Sequence, residues 1–448
     1  MNLEIINRGN KPTFMNVRRR EEIHTIEELN TAAESLQRAI TEAYEATCKL
    51  VRGRGKYEVP WWNNGLEKLK KTPKALLKKA VKSNDNRKWI AWRSKQKVYR
   101  HAVRKAQTES WREYCRSVEA GKEATRLNKI LAHNPEAWLG AVKLPTGKYT
   151  ESDEETLAHL MESNFPGFII AGDTCETADE QVETGGEGPR HNSGCRELAN
   201  LIVSPAKLRW AISSFDSYKS PGEDGILPIL IKEGVDTIIE PLVRFRRASI
   251  AAGYTPKCWR TAKVVFIPKK GKGSYNTAKD FRPICLTSFM LKTLERLVDR
   301  YIKEYILKDN PLCNEQHAYR EERSIESALH GAVSLIEEHI KGGGYAVGDF
   351  LDTEGAFNNT ATDSICKAAK DKGIPLIKWI MNMISNRKLT VTRGNTTAKG
   401  SVNNRCPQRG VLSPTLWGMV IDGALWMLTN LGVATVGYAD DILVTSIT

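Results

Sequence analysis

The chain has 448 residues, 41% of them hydrophobic, enough for two or three domains with cores of their own. A formal net charge of +14 points to a polyanionic partner, nucleic acid first. Nine cysteines without a C-x-x-C pair argue against a zinc site or a disulfide framework. With no run of about 18 apolar residues and no signal-like start, the chain is expected to be soluble and intracellular, in nucleus or cytoplasm, without a membrane partner.

Residues 1–20 mix short strand-like pieces with turn residues and read as the end of a preceding domain. From Thr25 to Val51 the apolar residues Ile26, Leu29, Ala32, Ala33, Leu36, Ile40 and Ala43 recur at three- and four-residue spacing, which predicts a packing helix. Residues 66–116 carry seventeen Lys and Arg against four Asp and Glu, interleaved with Trp89, Trp92, Tyr99, Trp111 and Tyr114. That composition predicts a basic helical arm, with Lys78, Lys79, Arg93, Lys97, Arg100 and Arg104 as candidate phosphate contacts. A solvated helix anchored by its tryptophans is the plainer alternative. Residues 151–163 read as an acidic helix, and residues 173–200 as an acidic, glycine-rich linker at a domain boundary. The expected organisation is therefore a helical basic spacer over 21–172, the linker, and a separate region over 201–448.

Beyond the linker, Ser204-Pro205 is a helix start, with serine as N-cap and proline at the first helical position. The helix is expected to run to about Phe215. A tight loop, Lys219 to Gly225, then leads to a helix over 228–234. Lys263 to Pro268 reads as a short buried strand. Lys269 to Gly273 is a basic turn, and Phe281 to Leu286 leads into a helix from Ser288 to Leu307.

Two stretches concentrate acids at strand ends. In Gly437-Tyr438-Ala439-Asp440-Asp441-Ile442-Leu443-Val444, apolar runs flank adjacent carboxylates, the pattern of a β-hairpin with the acids at its turn. Adjacent acids repel, and a divalent cation would relieve them; an ordinary polar turn is the alternative. Tyr345 to Asp352 reads as a strand ending in a third acid, whose alternative role is a helix N-cap. Were the three to converge, they could hold two Mg²⁺ ions about 3.5–4 Å apart. The chain's last strand is expected to lie at an exposed sheet edge.

Six ordered segments carry a resemblance. They are Lys219-Ser220-Pro221-Gly222-x-Asp224-Gly225, Phe281-Arg282-Pro283-Ile284, Gln316-His317-Ala318-Tyr319-Arg320, Asp352-x-x-Gly355-Ala356-Phe357, Pro407-Gln408-x-Gly410-Val411-Leu412-Ser413-Pro414 and Tyr438-Ala439-Asp440-Asp441. Together they resemble the reverse transcriptase of non-LTR, LINE-like retrotransposons of the jockey type. The resemblance implies an α+β fingers–palm polymerase region, an antiparallel palm sheet with helices on one face, preceded by the α-helical spacer. It implies RNA-directed DNA synthesis with Mg²⁺ as cofactor and an RNA template, a DNA primer and dNTPs as partners. Asp352, Asp440 and Asp441 match the family's catalytic, metal-binding acids. Phe357 matches the aromatic beneath the incoming sugar, Gln408 a residue beside nucleotide and template, and Arg282 and Lys269 fingers residues that meet the triphosphate; Lys263 is a weaker candidate. Residues 1–20 resemble the end of an upstream endonuclease, and the family's thumb is expected to be missing after Thr448. A nucleic-acid-binding remnant without catalysis is the second reading, and an RNA-templated RNA polymerase, disfavoured by Phe357, the third.

The chain departs from the family at several positions. Glu322, Arg405 and Arg409 replace glycines, and Asp349 occupies a strand position that is usually small or apolar. Glycine at such places serves turns of positive φ or a close backbone approach. The substitutions fit mutational decay and imply an impaired site.

Overall fold

Residues 23–48, 61–83, 85–116, 139–170, 193–269, 274–353, 356–402 and 409–447 are described by a computed structural model. Contacts divide the chain into two compact units: Met1–Cys48 with Trp138–Thr448, and Lys49–Ala137. The expected chain start (1–20) and most of the expected linker lie outside the described residues.

Helix α1 (Ile26–Thr47) opens the larger unit with a capping box: the Thr25 hydroxyl accepts from the Glu28 N–H at 3.1 Å, and the Glu28 carboxylate accepts from the Thr25 N–H. Its buried row of Leu29, Ala33, Leu36 and Ile40 is the one its spacing predicts. In the smaller unit, α2 (Asn64–Ser83) and α3 (Asn86–Arg116) pack as a helical pair. Helix α2 buries Leu66, Pro73 and Ala80, whereas α3 has no buried residue.

The larger unit continues with α4 (Asp153–Asn164), β1 (Phe168–Ile170), α5 (Ser193–Ile202) and α6 (Pro205–Ser213), whose N-cap is Ser204. Helix α7 (Pro228–Ala252) runs much further than the expected 228–234. Ile238, Ile239, Leu242 and Val243 are buried in the main core, so tertiary packing carries the helix past Gly234 and Pro241. Strands β2 (Thr261–Pro268) and β3 (Phe281–Thr287) follow, then α8 (Phe289–Tyr301), which passes into a π-helical turn over Ile302–Ile306. Strand β2 alternates buried and exposed residues, so it is half-buried rather than buried.

The remaining elements are α9 (Ile325–Lys341), β4 (Ala346–Asp352), the single turn α10 (Ala356–Asn359), α11 (Thr362–Asp371), α12 (Ile377–Ile384), β5 (Arg387–Arg393), β6 (Thr396–Val402), α13 (Ser413–Asn430), β7 (Ala434–Tyr438) and β8 (Asp441–Ile447). The largest core joins α1, α5 to α8, α11, α12 and the first turns of α13. Helix α1 is therefore built into the same core as the C-terminal helices.

Two sheets result. Five strands run in the order β1-β6-β5-β2-β3, antiparallel except where β2 lies parallel to β5. Leu157 and Met161 of α4 and Phe165 just after it cover it through Ala262, Val264, Leu389 and Val391. Three antiparallel strands run in the order β4-β8-β7. Two expectations are corrected here. The last strand, β8, is central rather than an edge, because its second side pairs along its full length with β4. This sheet also takes helices on both faces. Helix α13 meets Ile442 through Trp417, Ile421 and Leu425, while α9 meets Val436 and Leu443 through Ala328.

Candidate active site

The three-stranded sheet gathers the acids. Strand β4 pairs with β8 in a register that sets Asp352 opposite Asp441, and β8 pairs with β7 so that Tyr438 also faces Asp441. Directly opposed residues of an antiparallel ladder have Cα atoms about 4.5–5.5 Å apart. Ala439 and Asp440 form the two-residue turn between β7 and β8. The Thr353 N–H donates to the Asp440 carbonyl at 3.2 Å, stitching the end of β4 to that turn. Asp352, Asp440 and Asp441 thus meet at one end of one sheet, with Asp352 and Asp441 exposed and Asp440 half-buried.

Like charges placed directly opposite each other destabilise a ladder. Partial burial, and then the charges of Asp440 and Asp352, push the Asp441 carboxyl above its usual range. Among the described residues, no Lys or Arg forms an ion pair with any of the three. Nor does any described group of three His, Cys, Asp or Glu side chains close around a point as a metal cage would. Carboxylate oxygens are the ligand type that hard divalent cations take.

The turn itself is held from two sides. Ala439 has φ +60°, the left-handed region that L-residues other than Asn and Asp rarely adopt. Its N–H donates to the Gln316 Oε1 at 3.3 Å, and its carbonyl accepts from the Trp417 Nε1–H at 3.0 Å. The segment Glu315–His317 lies alongside β7: the Gly437 N–H donates to the Glu315 carbonyl at 2.8 Å, and the His317 N–H donates to the Gly437 carbonyl at 2.9 Å. Neither Gln316 nor Trp417 has a role assigned from sequence. Gln316 stands in one of the six segments that carry the resemblance, which is its only signal in the sequence. Trp417 reads as one more apolar residue of α13.

Phe357, five residues beyond Asp352, lies against Trp417 with ring centroids 6.2 Å apart. It is half-buried at the join between the main core and the cluster under β8. Arg282 and Lys263 are exposed on β3 and β2, and Lys269 follows β2 directly, its N–H donating to the Asp280 carbonyl at 2.8 Å. Arg282 and Lys263 belong to the five-stranded sheet and Lys269 adjoins it; none lies on the sheet that bears the acids. Gln408 and Arg405 lie outside the described residues. The chain resumes after them pinned to α8: the Glu295 carboxylate accepts from the Val411 N–H at 3.1 Å, and Asp299 accepts from the Thr415 hydroxyl at 2.5 Å. Complete burial raises the Glu295 pKa, against the pull of the Val411 N–H and Lys292.

The loop Lys219 to Gly225 docks on the start of α8. Asp224 accepts from the Ser288 hydroxyl at 2.5 Å, and a Cβ on Gly222 would stand 2.8 Å from the Ser288 backbone nitrogen, so only glycine fits. Two of the glycine replacements sit at positive φ, Glu322 at +61° and Arg409 at +75°. Asp349 is exposed on β4, opposite Val444. In the smaller unit Lys78, Lys79, Arg93, Lys97, Arg100 and Arg104 are all exposed. Trp89 and Trp92 meet edge to face at 5.5 Å. No described helix is long and apolar enough to cross a membrane.

Residues 267–448 match the family "Reverse transcriptase (RNA-dependent DNA polymerase)". A protein of transposon BS from Drosophila melanogaster is 24% identical over 356 residues, covering 77% of this chain and 38% of that protein. The RNA-directed DNA polymerase from mobile element jockey of the same species is 25% identical over 284 residues, 62% of this chain and 30% of its own length. The Pol polyprotein from type-1 retrotransposable element R1 of Bradysia coprophila is 25% identical over 226 residues, 50% of this chain and 22% of its own. The chain thus spans well under half the length of these relatives. Among solved structures, telomerase from Candida albicans in complex with a telomeric RNA fragment overlaps 42% of this chain and 38% of its own at 11% identity. The TM-score of 0.30 is too slight to speak to fold. Residues 267–448 are thus similar to the reverse transcriptase family, and the chain is similar over about half or more of its length to RNA-directed DNA polymerases of mobile elements such as jockey.

Proposed function

We propose that the chain is an RNA-directed DNA polymerase whose reaction centre is the acid cluster Asp352, Asp440 and Asp441. The observation that carries this reading is the pairing of Asp352 with Asp441 across the ladder, with Asp440 in the adjoining turn. Repulsion of that kind is tolerated where a cation is to be held. Mg²⁺ bound there would favour attack of a primer 3′-hydroxyl on the α-phosphorus of a dNTP, forming the new P–O bond as the bond to pyrophosphate breaks.

The chain's own residues supply position and selection. Phe357, whose ring lies against Trp417, would floor the sugar site and crowd a 2′-hydroxyl, favouring deoxynucleotides. Arg282 and Lys269 would meet the triphosphate, and Gln408 would lie beside nucleotide and template. The three-stranded sheet would be the palm, and the five-stranded sheet would belong to the fingers. An RNA template and a DNA primer are the partners this activity requires. The exposed bases of α2 and α3 would hold nucleic acid through its phosphates. The strained backbone at Glu322 and Arg409 favours a slow enzyme over an optimal one.

The test is extension of a DNA primer on an RNA template by the purified full chain with Mg²⁺, offering dNTPs and NTPs in parallel. Extension with dNTPs that Asp440→Asn abolishes is expected. Extension with NTPs alone would instead favour an RNA polymerase. Salt-sensitive nucleic-acid binding with no extension would leave only a binding protein.

A further inference from the structure

We propose that Gln316 and Trp417 are positioning residues that clamp the Ala439 peptide and so set the aim of the Asp440–Asp441 turn. The inference rests on the reading of those acids as a cation-binding reaction centre.

The two side chains approach from different parts of the chain, one ahead of α9 and one on α13, and they take the two polar groups of a single residue. Gln316 is 1% exposed, and its Oε1 accepts from both the Ala439 N–H at 3.3 Å and the Ala318 N–H at 3.0 Å. Trp417 is 6% exposed, and its indole N–H is spent on the Ala439 carbonyl. Ala439 needs such support. A two-residue hairpin turn with positive φ at its first position normally has glycine there, and alanine resists that conformation. Ladder bonds alone would let the peptide relax, carrying the next residue, Asp440, with it. The clamp also reaches the other acid-bearing strand. The same indole packs on Phe357, which follows Asp352 in the chain, so one side chain touches both segments that must stay aligned. The Glu315–His317 segment adds its own bonds to Gly437 and keeps Gln316 from withdrawing.

The test compares the full-length wild type with Gln316→Met, Trp417→Phe and Gln316→Glu, the last of which keeps an oxygen acceptor. Amide hydrogen exchange of the segment around Ala439 is read first, and Mn²⁺ binding by electron paramagnetic resonance second. Loss of either bond should speed Ala439 exchange about tenfold. It should also weaken Mn²⁺ binding by about 10-fold, as loss of a supporting group does at other metal sites. Gln316→Glu should keep most of both. Trp417→Phe preserves the ring packing, so it remains informative if Gln316→Met does not fold. Unchanged exchange in folded Trp417→Phe would overturn the clamp, and so would faster exchange with unaltered Mn²⁺ binding. Should wild type and Asp441→Asn bind Mn²⁺ alike, the reading of the acids fails instead, and exchange alone then decides whether the clamp exists.

Discussion

Asp441 sits opposite Asp352 and next to Asp440, and its carboxyl is raised by burial and by both neighbours. A raised folded-state pKa means that the folded chain binds this proton more tightly than the unfolded chain does. The favourable contribution is complete below the ordinary carboxylate range and is lost as pH rises through the raised value. Without divalent cations, Asp441→Asn should therefore melt higher than the wild type at about pH 7, with the gain shrinking toward about pH 4. Thermal melts across that range check the sign, and added Mg²⁺ should narrow the gap by stabilising the wild type alone. Glu322 and Arg409 raise a second issue at this scale, since left-handed backbone suits neither residue. Glu322→Gly and Arg409→Gly should each stabilise the chain by roughly 0.5–1 kcal/mol, the relief of strain being offset by a freer unfolded chain. Both positions stood out in the sequence only through the resemblance, as charged residues where the family has glycine. Ala439 was not, since alanine gives no such warning and its clamp comes from residues 22 and 123 positions away.

Elements were legible where one face repeats regularly and obscure where distant packing decides. The row Leu29, Ala33, Leu36, Ile40 and the Ser204-Pro205 start follow from local spacing and capping chemistry. Helix α7 outruns the expected 228–234 because Gly234 and Pro241 are poor helix formers locally, and the burial of Ile238, Ile239, Leu242 and Val243 carries it on. The place of β8 was hidden for a related reason. A hairpin announces its own partner, whereas β4 lies some ninety residues earlier and nothing local says that it will flank β8. Burial also ties the helix beyond β4 to the cluster beneath the acids. Lys372 pairs with Asp422 of α13 at 2.8 Å, their side chains 9% and 4% exposed, and Asp422 also accepts from the Cys313 N–H at 2.5 Å. Lys372→Met leaves that carboxylate buried and unpaired, and should cost about 3–5 kcal/mol by chemical denaturation. The paired change with Asp422→Leu should recover part of the loss.

At the scale of the whole molecule, the basic arm and the acid cluster belong to different units. The smaller unit carries the exposed basic residues of α2 and α3, and the larger unit carries the acids. If the arm binds through phosphates, affinity for a DNA or RNA duplex should fall by about 10³–10⁵ between 50 and 200 mM salt, as for proteins making six or more such contacts. Replacing Lys78, Lys79, Arg93, Lys97, Arg100 and Arg104 with glutamine should flatten that dependence in a filter-binding titration. Composition made the arm legible, since excess charge is visible without a fold. Convergence of the acids was not, because it depends on the long-range register of β4 against β8. That register also supplies the sharpest contrast. Asp352 and Asp349 share a strand but point to opposite faces, and only Asp352 is set against Asp441. The decisive measurement is the single-nucleotide incorporation rate on an RNA template with Mg²⁺ for the wild type, Asp352→Asn and Asp349→Asn. The expected result is a loss of about 100-fold or more for Asp352→Asn alone. Equal rates for Asp352→Asn and the wild type would contradict a reaction centre at this end of the sheet.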